Sequence, residues 1–164
     1  MSFKVGDCVV HRHEGVCKIC KIETQDFGDG KTKYFVLKPY FGEPITIIRI
    51  PVDKCTQIRN HISKRSAQEL VKKLKKGKTN WINDNRKRKE HFQNMIASGD
   101  LESLASIAHT VYIKKTEFAK VKKSMPLTDQ NLANFCEKLL REELAVALGI
   151  KLEDVDAYIE KHSK

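Results

Sequence analysis

The chain has 164 residues, of which 40% are hydrophobic and 32% are charged, a balance typical of a folded protein rather than of a disordered one. No apolar run approaches the roughly 18 residues that indicate a membrane span, and the N-terminus lacks the apolar stretch of a signal peptide, so we expect a cytoplasmic protein. The formal net charge of +10 favours a polyanionic partner over a neutral one.

The positive charge is concentrated in one segment. Residues 59–89 hold 12 Lys/Arg and 2 Asp/Glu, whereas residues 1–58 hold 9 and 7, and residues 90–164 hold 10 and 12. This basic segment also contains Trp81, the only tryptophan of the chain. A local positive field attracts phosphate through Coulomb steering and counterion release, so the segment is the first candidate for a nucleic-acid contact.

The first sixty residues read as short strands. Four segments are rich in β-branched and aromatic residues: "DCVVHR", "GVCKICKIET", "KTKYFVLKPY" and "ITIIRIPVD". Glycine-containing breaks separate them, and the "DG" at 29–30 is a hairpin-turn signal. The pattern predicts a small, strongly bent antiparallel sheet or barrel over residues 1–58.

From about residue 66 the apolar period becomes helical, which predicts a compact all-α domain over residues 66–164 and an α+β chain as a whole. Each helix has a predicted boundary residue. The predicted N-caps are Ser66 (in a capping box with Glu69), Thr79 or Asn80, Asp100 and Thr128, and the predicted C-terminal glycines are Gly77, Gly99 and Gly149.

No set of residues has the spacing of a catalytic site. The chain lacks a phosphate-binding GxxxxGK[ST] loop, a GxSxG elbow and an HExxH helix, so we predict neither an enzyme nor a cofactor. His11 and His13 are expected at a solvated strand edge. Glu142 and Glu143, beside Lys138 and Arg141, are expected to be ordinary surface charge.

Five cysteines in a cytoplasmic chain argue against a disulfide framework. Two interpretations of the "CKIC" at 17–20 stay open. In the first, the thiols are small hydrophobic residues of a strand. In the second, four thiolates form a zinc site: Cys8, Cys17, Cys20 and Cys55.

Two interpretations of Trp81 also stay open. Its indole either packs against a neighbouring helix as an apolar residue of a helix first turn, or is exposed beside the basic run Arg86–Lys89. An exposed indole flanked by cations suits stacking on bases, or wedging at a base step while the cations hold phosphates.

Several motifs resemble one known family. "FKVGDCVVHRHEGVCKICKIE", followed by "YFVLK" and "ITIIRIPVDK", is similar to the RNA-polymerase-interacting domain of the CarD/CdnL family, a Tudor-like module shared with transcription-repair coupling factors. "TNW", "ASGDLESLASIAHTVY" and "EELAVALGI" resemble the helical C-terminal domain of the same family.

The resemblance implies a bacterial transcription regulator that docks on the β subunit of RNA polymerase and stabilises the promoter open complex. The family's minor-groove wedge maps to Trp81, and the implied DNA contacts beside it are Arg86, Lys87, Arg88 and Lys89. The family's polymerase-contacting arginine maps to Arg49. The other implied polymerase contacts are Gln25, Ile47 and Pro51.

Two other functions compete with this one. The first is an RNA- or ribosome-binding module, and the second is a polymerase adaptor that recruits another protein and has little contact with DNA. In the adaptor case Trp81 is expected to be buried between helices. We expect a monomer, although an unpaired sheet edge leaves room for a dimer through strand pairing.

Overall fold

The computed structural model describes residues 3–26, 28, 30–42 and 45–163. The chain divides into two compact units, Met1–Ile62 and Ser63–Lys164, which we call the N-terminal unit and the C-terminal unit. The division falls in the interval that the predicted domains 1–58 and 66–164 leave between them. A five-stranded antiparallel sheet precedes the helices, which confirms the predicted α+β fold class.

The sheet of the N-terminal unit has the strand order β4-β3-β2-β1-β5. Its strands are β1 (Cys8–His11), β2 (Gly15–Asp26), β3 (Lys31–Pro39), β4 (Ile48–Pro51) and β5 (Ile58–Asn60). Four of the five were predicted. The fifth was missed because it is only three residues long and follows the 3₁₀ turn Val52–Gln57, and it adds to the sheet by pairing with β1.

The predicted hairpin between the second and third strands is confirmed. Asp26 and Lys31 form the last register pair of the antiparallel β2–β3 ladder. Gly30 has a φ of 104°, a conformation that glycine adopts without the steric cost of a Cβ. Asp29, the other residue of the turn signal, lies outside the described residues.

One face of the sheet forms an aliphatic and aromatic core. Side chains alternate between the two faces of a strand, so every second residue points inward. The buried cluster comprises Phe3, Val9, Cys17, Ile19, Phe35, Leu37, Ile50 and Ile58. A register shift between Ile19 and Lys21 interrupts the alternation of β2 and places the strand beyond it in a new phase.

His11 is 7% exposed, so the expectation of a solvated edge is wrong for this residue. Its Nδ1 accepts hydrogen bonds from the backbone N–H groups of His13, at 3.4 Å, and Glu14, at 3.2 Å, in the turn between β1 and β2. Burial lowers the pKa of His11, and the hydrogen bond with Gln57 opposes that shift only in part. The turn therefore requires a neutral imidazole.

This arrangement predicts a loss of stability of the N-terminal unit in mild acid. The folded pKa of His11 lies below the ordinary value of 6.5, so its stabilising contribution is present above about pH 6.5 and is lost as the pH falls through the folded pKa. Urea unfolding at pH 7.5 and pH 5, followed through NMR signals of the sheet, measures this loss. His11→Asn is the matched control, because an Asn Oδ1 accepts the same N–H groups without titrating. An equal acid loss in both proteins would contradict the assignment to His11.

The described part of the C-terminal unit contains five α-helices. They are α1 (Lys64–Lys73), α2 (Asn85–Ser98), α3 (Leu101–Lys120), α4 (Leu127–Leu148) and α5 (Val155–His162). Short 3₁₀ turns follow α1 at Leu74–Lys76 and precede α5 at Leu152–Asp154. No helix within the described ranges combines the length and apolar character needed to cross a bilayer.

The helix boundaries confirm some predicted caps. Asp100 caps α3 by accepting from Ser103 N–H at 2.7 Å. Burial alone would raise the pKa of Asp100, but hydrogen bonds from Ser98 and Ser103 outweigh it and the pKa is lowered. Gly99 and Gly149 end α2 and α4 in the left-handed conformation, as predicted for C-terminal glycines.

Other predicted caps are wrong. Ser63, not Ser66, caps α1, because its hydroxyl accepts from the N–H of Ser66. Asp84 caps α2 in place of Thr79 or Asn80, and Pro126 precedes α4 with no side-chain cap from Thr128. Gly77 ends the 3₁₀ turn after α1 in an extended conformation rather than a left-handed one.

The helix α4 is central to the C-terminal unit and packs against α1, α3 and α5. Its burial extends to Glu142 and Glu143, which are 4% and 1% exposed. The expectation that these glutamates are ordinary surface charge is therefore wrong. They lie on a helix that is covered by others on most of its circumference.

Candidate functional site

Trp81 lies in a non-helical segment before α2, not in a helix first turn. The segment is attached to α3 by Asn80, whose N–H donates to Thr110 Oγ1 at 3.1 Å and whose Nδ2 donates to Ser106 Oγ at 3.0 Å. The indole is partly buried and meets the Phe118 ring edge-on, with ring centroids 5.8 Å apart. The sequence left open whether the indole of Trp81 packs against a helix or is exposed. In the structure it packs against α3 and is also partly exposed.

The indole also carries a cation on its ring. The guanidinium carbon of Arg88 lies 3.9 Å from the Trp81 ring centroid, in cation–π geometry. Lys114 Nζ lies 6.0 Å from the same centroid. One side of the ring is thus covered by Arg88, and the ring is held between α2 and α3.

Arg88 is fixed by an ion pair inside the unit. Its Nε and Nη2 donate to the two carboxylate oxygens of Asp129 at 3.2 and 2.7 Å, and the two side chains are 2% and 6% exposed. Its other N–H groups donate to the carbonyls of Ile82 and Asn83 and to Asn85 Oδ1. All five donors of the guanidinium have a partner.

This placement corrects the expected set of DNA contacts. Arg88 is buried and fully hydrogen-bonded, so it has no donor left for a phosphate, and its role is to hold the Trp81 segment. Arg86, Lys87 and Lys89 are exposed on α2. Trp81 does not share a helix with Arg86 and Lys89, because α2 begins at Asn85 rather than near residue 80.

A second group of cations near the indole was missed. Residues 114–123, at the end of α3 and just beyond it, hold five lysines and one glutamate, and Lys114 and Phe118 among them approach the Trp81 ring. Lys114 pairs with Glu117 at 2.6 Å, while Lys115, Lys120, Lys122 and Lys123 are exposed. The sequence analysis missed this group because residues 90–164 as a whole hold similar numbers of basic and acidic residues. Net charge counted in a shorter sliding window would have revealed it.

Three predicted polymerase contacts lie together on the N-terminal sheet. Register and strand alternation place Gln25, Arg49 and Pro51 on the face opposite the core. Glu23 connects two of them, because its Oε1 accepts from Arg49 Nε and from Gln25 Nε2, each at 2.7 Å. Hydrogen bonds from Lys21 and then from Arg49 hold the pKa of the Glu23 carboxyl below its usual value. Glu23 was not predicted.

The fourth predicted contact, Ile47, lies just before β4 and is 48% exposed. Other large apolar side chains of the same unit are exposed as well, including Tyr40 at 50% and Ile45 at 79%. Because β4 is an edge strand, this part of the sheet combines an unpaired edge with exposed apolar side chains and a charged face. Such a combination suits a protein partner.

The four cysteines that were considered as zinc ligands do not lie together as a metal site. Cys17 belongs to the core cluster, Cys20 is exposed and donates to the Lys18 carbonyl, and Cys8 and Cys55 are partly buried. Within the described ranges, no group of three or more His, Cys, Asp or Glu side chains is placed to hold a metal ion. Cys136 is buried, and burial raises its pKa to about 12, which suppresses thiolate chemistry.

Comparison with known families identifies the N-terminal unit. Residues 3–62 match the family described as the CarD-like/TRCF RID domain, in which RID denotes the RNA-polymerase-interacting domain. The match begins at the first described residue and ends at Ile62, the last residue of the N-terminal unit. This family is a protein-interaction domain rather than a catalytic one, and it supports RNA polymerase as the partner. The N-terminal unit of this chain is therefore similar to the CarD-like/TRCF family of RNA-polymerase-interacting domains over residues 3–62.

Proposed function

We propose that the protein is a transcription regulator that docks on the β subunit of RNA polymerase and stabilises the promoter open complex. The match of residues 3–62 to a polymerase-interacting domain carries this proposal. In it, the face with Arg49, Gln25 and Pro51, together with Ile47, contacts polymerase. Docking on polymerase would place the protein in the cytoplasm, at the nucleoid.

In the proposal, the C-terminal unit contacts DNA at the upstream edge of the melted region. Trp81 wedges into the minor groove there, and the exposed cations Arg86, Lys87 and Lys89 hold backbone phosphates. The arrangement around Arg88 supports this role, because a wedge must resist displacement when it is pushed against a base step. Little base reading is expected, since these contacts are to shape and backbone.

The effect on transcription follows from differential affinity. A protein that binds open promoter DNA more tightly than closed DNA shifts the equilibrium towards the open form by the difference in its two binding free energies. DNA binding by the C-terminal unit alone is expected to be weak and steeply salt-dependent. Attachment to polymerase compensates by raising the effective concentration of Trp81 at the promoter.

Polymerase docking is tested by reversing the charge of Arg49. We expect Arg49→Glu to weaken binding to RNA polymerase of the same organism by roughly tenfold or more, because a like charge at an interface opposes association. Surface plasmon resonance with immobilised polymerase measures the affinity. The fold is expected to survive, since Arg49 and Glu23 form an exposed ion pair, and such pairs add little to stability.

The matched control is Lys33→Glu, which makes the same charge change in β3. Lys33 is exposed, and strand alternation places it on the other face of the sheet from Arg49. Wild-type affinity in Lys33→Glu and loss in Arg49→Glu support docking through the proposed face. Equal affinities of the two variants would overturn it.

A further inference from the structure

A cleft in the C-terminal unit gathers cations that the DNA-contact proposal does not use. It is lined by Lys72 of α1, Lys76 of the following 3₁₀ turn, and Lys161 and His162 of α5. The cavity volume is about 410 Å³, within the range of sites that hold small molecules. The side chains around Trp81 come from other elements, chiefly α2 and α3.

Among the described residues, the lysines of the cleft differ from two other cations of α1, which have carboxylate partners. Arg65 of α1 pairs with Glu69 at 3.1 Å, and Lys73 pairs with Glu102 at 3.8 Å. Within the described part of the chain, Lys72, Lys76 and Lys161 have no carboxylate at ion-pair distance. Three lysines line this one cleft, and like charges gathered around a cleft repel each other, a cost that a bound anion would remove.

His162 adds a ring nitrogen to the cleft. Its Nδ1 lies 2.8 Å from the Tyr158 carbonyl oxygen, which only accepts, so Nδ1 carries the proton and Nε2 is left for another partner. The ring stacks on Tyr158, with centroids 4.1 Å apart. The imidazole is therefore held in one orientation by two contacts within α5.

We propose that this cleft binds the linked phosphate groups of a small phosphorylated molecule, such as a nucleoside diphosphate. Lysine ammonium groups bind phosphate as point charges, and three of them match an anion that carries several charges over a short length. A concave volume of this size admits a small molecule, whereas a DNA duplex would touch only its rim. Binding, not hydrolysis, is proposed, since the chain lacks a phosphate-binding loop.

Isothermal titration calorimetry with sodium tripolyphosphate at fixed ionic strength tests the cleft in the full chain. We expect the double variant Lys72→Gln/Lys161→Gln to bind at least tenfold more weakly than wild type. Arg86→Gln/Lys87→Gln, which removes the same charge from α2, is expected to bind as wild type does. All four positions are exposed, and thermal melting verifies that each variant is folded.

Two results would overturn the proposal. Absence of tripolyphosphate binding by wild type would mean that the cleft is not a phosphate site. An equal loss in both double variants would mean that only overall charge matters. The same proteins are also titrated with a short DNA duplex, for which the cleft variant is expected to keep wild-type affinity. A tenfold loss of DNA affinity in the cleft variant, without tripolyphosphate binding by wild type, would assign these lysines to a nucleic-acid surface instead.

Discussion

Replacing Asp129 by alanine is expected to lower the free energy of unfolding of the C-terminal unit by about 3–5 kcal/mol. The substitution leaves the Arg88 guanidinium without its countercharge at a site where the two side chains are 2% and 6% exposed. Urea unfolding followed by tryptophan fluorescence measures the change, because Trp81 is the only indole and contacts Arg88.

The control for this variant is Glu69→Ala, which breaks the exposed Arg65–Glu69 pair of α1. Its loss in free energy of unfolding is expected to stay near 0.5 kcal/mol, as for other solvent-exposed ion pairs four residues apart on a helix. The loss in Asp129→Ala is therefore expected to be about sixfold larger or more. Similar small losses in both would contradict the buried geometry of Arg88. The double variant Arg88→Met/Asp129→Leu is expected to recover part of the stability, because it removes both buried charges together.

Under the proposed function, replacing Trp81 by alanine is expected to abolish most of the stabilisation of the open promoter complex. Removal of an aromatic side chain that stacks on a base costs about 1–3 kcal/mol, which is roughly a 5- to 150-fold change in an equilibrium constant. The measurement is the lifetime of the open complex after addition of a competitor that traps free polymerase. Thermal melting must first show that the variant is folded.

Tyr112→Ala is the matched control for Trp81→Ala. Tyr112 is an aromatic residue of the same unit, 66% exposed on α3, and is not part of the packing around Arg88. We expect it to leave the open-complex lifetime unchanged. Equal lifetimes with the two variants would show that the indole has no special role and that the cations carry the effect.

Local sequence signals predicted much of the fold. The hairpin of β2 and β3 and the ends of α2 and α4 depend on a few adjacent residues, such as Gly30, Gly99 and Gly149, whose backbone freedom a turn requires. The Asp100 cap is equally local, because its partner Ser103 is three residues away. These features could be predicted because the residues that determine each turn or cap lie in the same short segment as the turn or cap itself.

The features that were missed depend on contacts between distant segments. Arg88 looked like one of four equivalent cations, but its partner Asp129 lies 41 residues away, and no local pattern joins the two. The burial of Glu142 and Glu143 likewise results from helices that pack on α4. Ser63 took the cap expected at Ser66 because both serines precede the same apolar stretch, and the sequence does not rank them.

The candidate site also has a part that local sequence predicted and a part that depends on contacts between distant segments. The sequence and its resemblance pointed to Trp81 and to Arg49, and the structure adds what surrounds each of them. Glu23 orders Arg49 and Gln25 through one oxygen atom, and this link between β2 and β4 exists only when β3 aligns the two strands. Lys114 of α3 comes close to Trp81 because Asn80 attaches its segment to that helix.

The most direct test of the proposed function is the lifetime of the open complex formed by polymerase of the same organism on one of its own promoters, measured with and without this protein. The account predicts a longer lifetime with wild type, and a lifetime near that of polymerase alone with a folded Trp81→Ala variant. An unchanged lifetime with wild type, at concentrations where it binds polymerase, would contradict the account and favour an adaptor that recruits another protein.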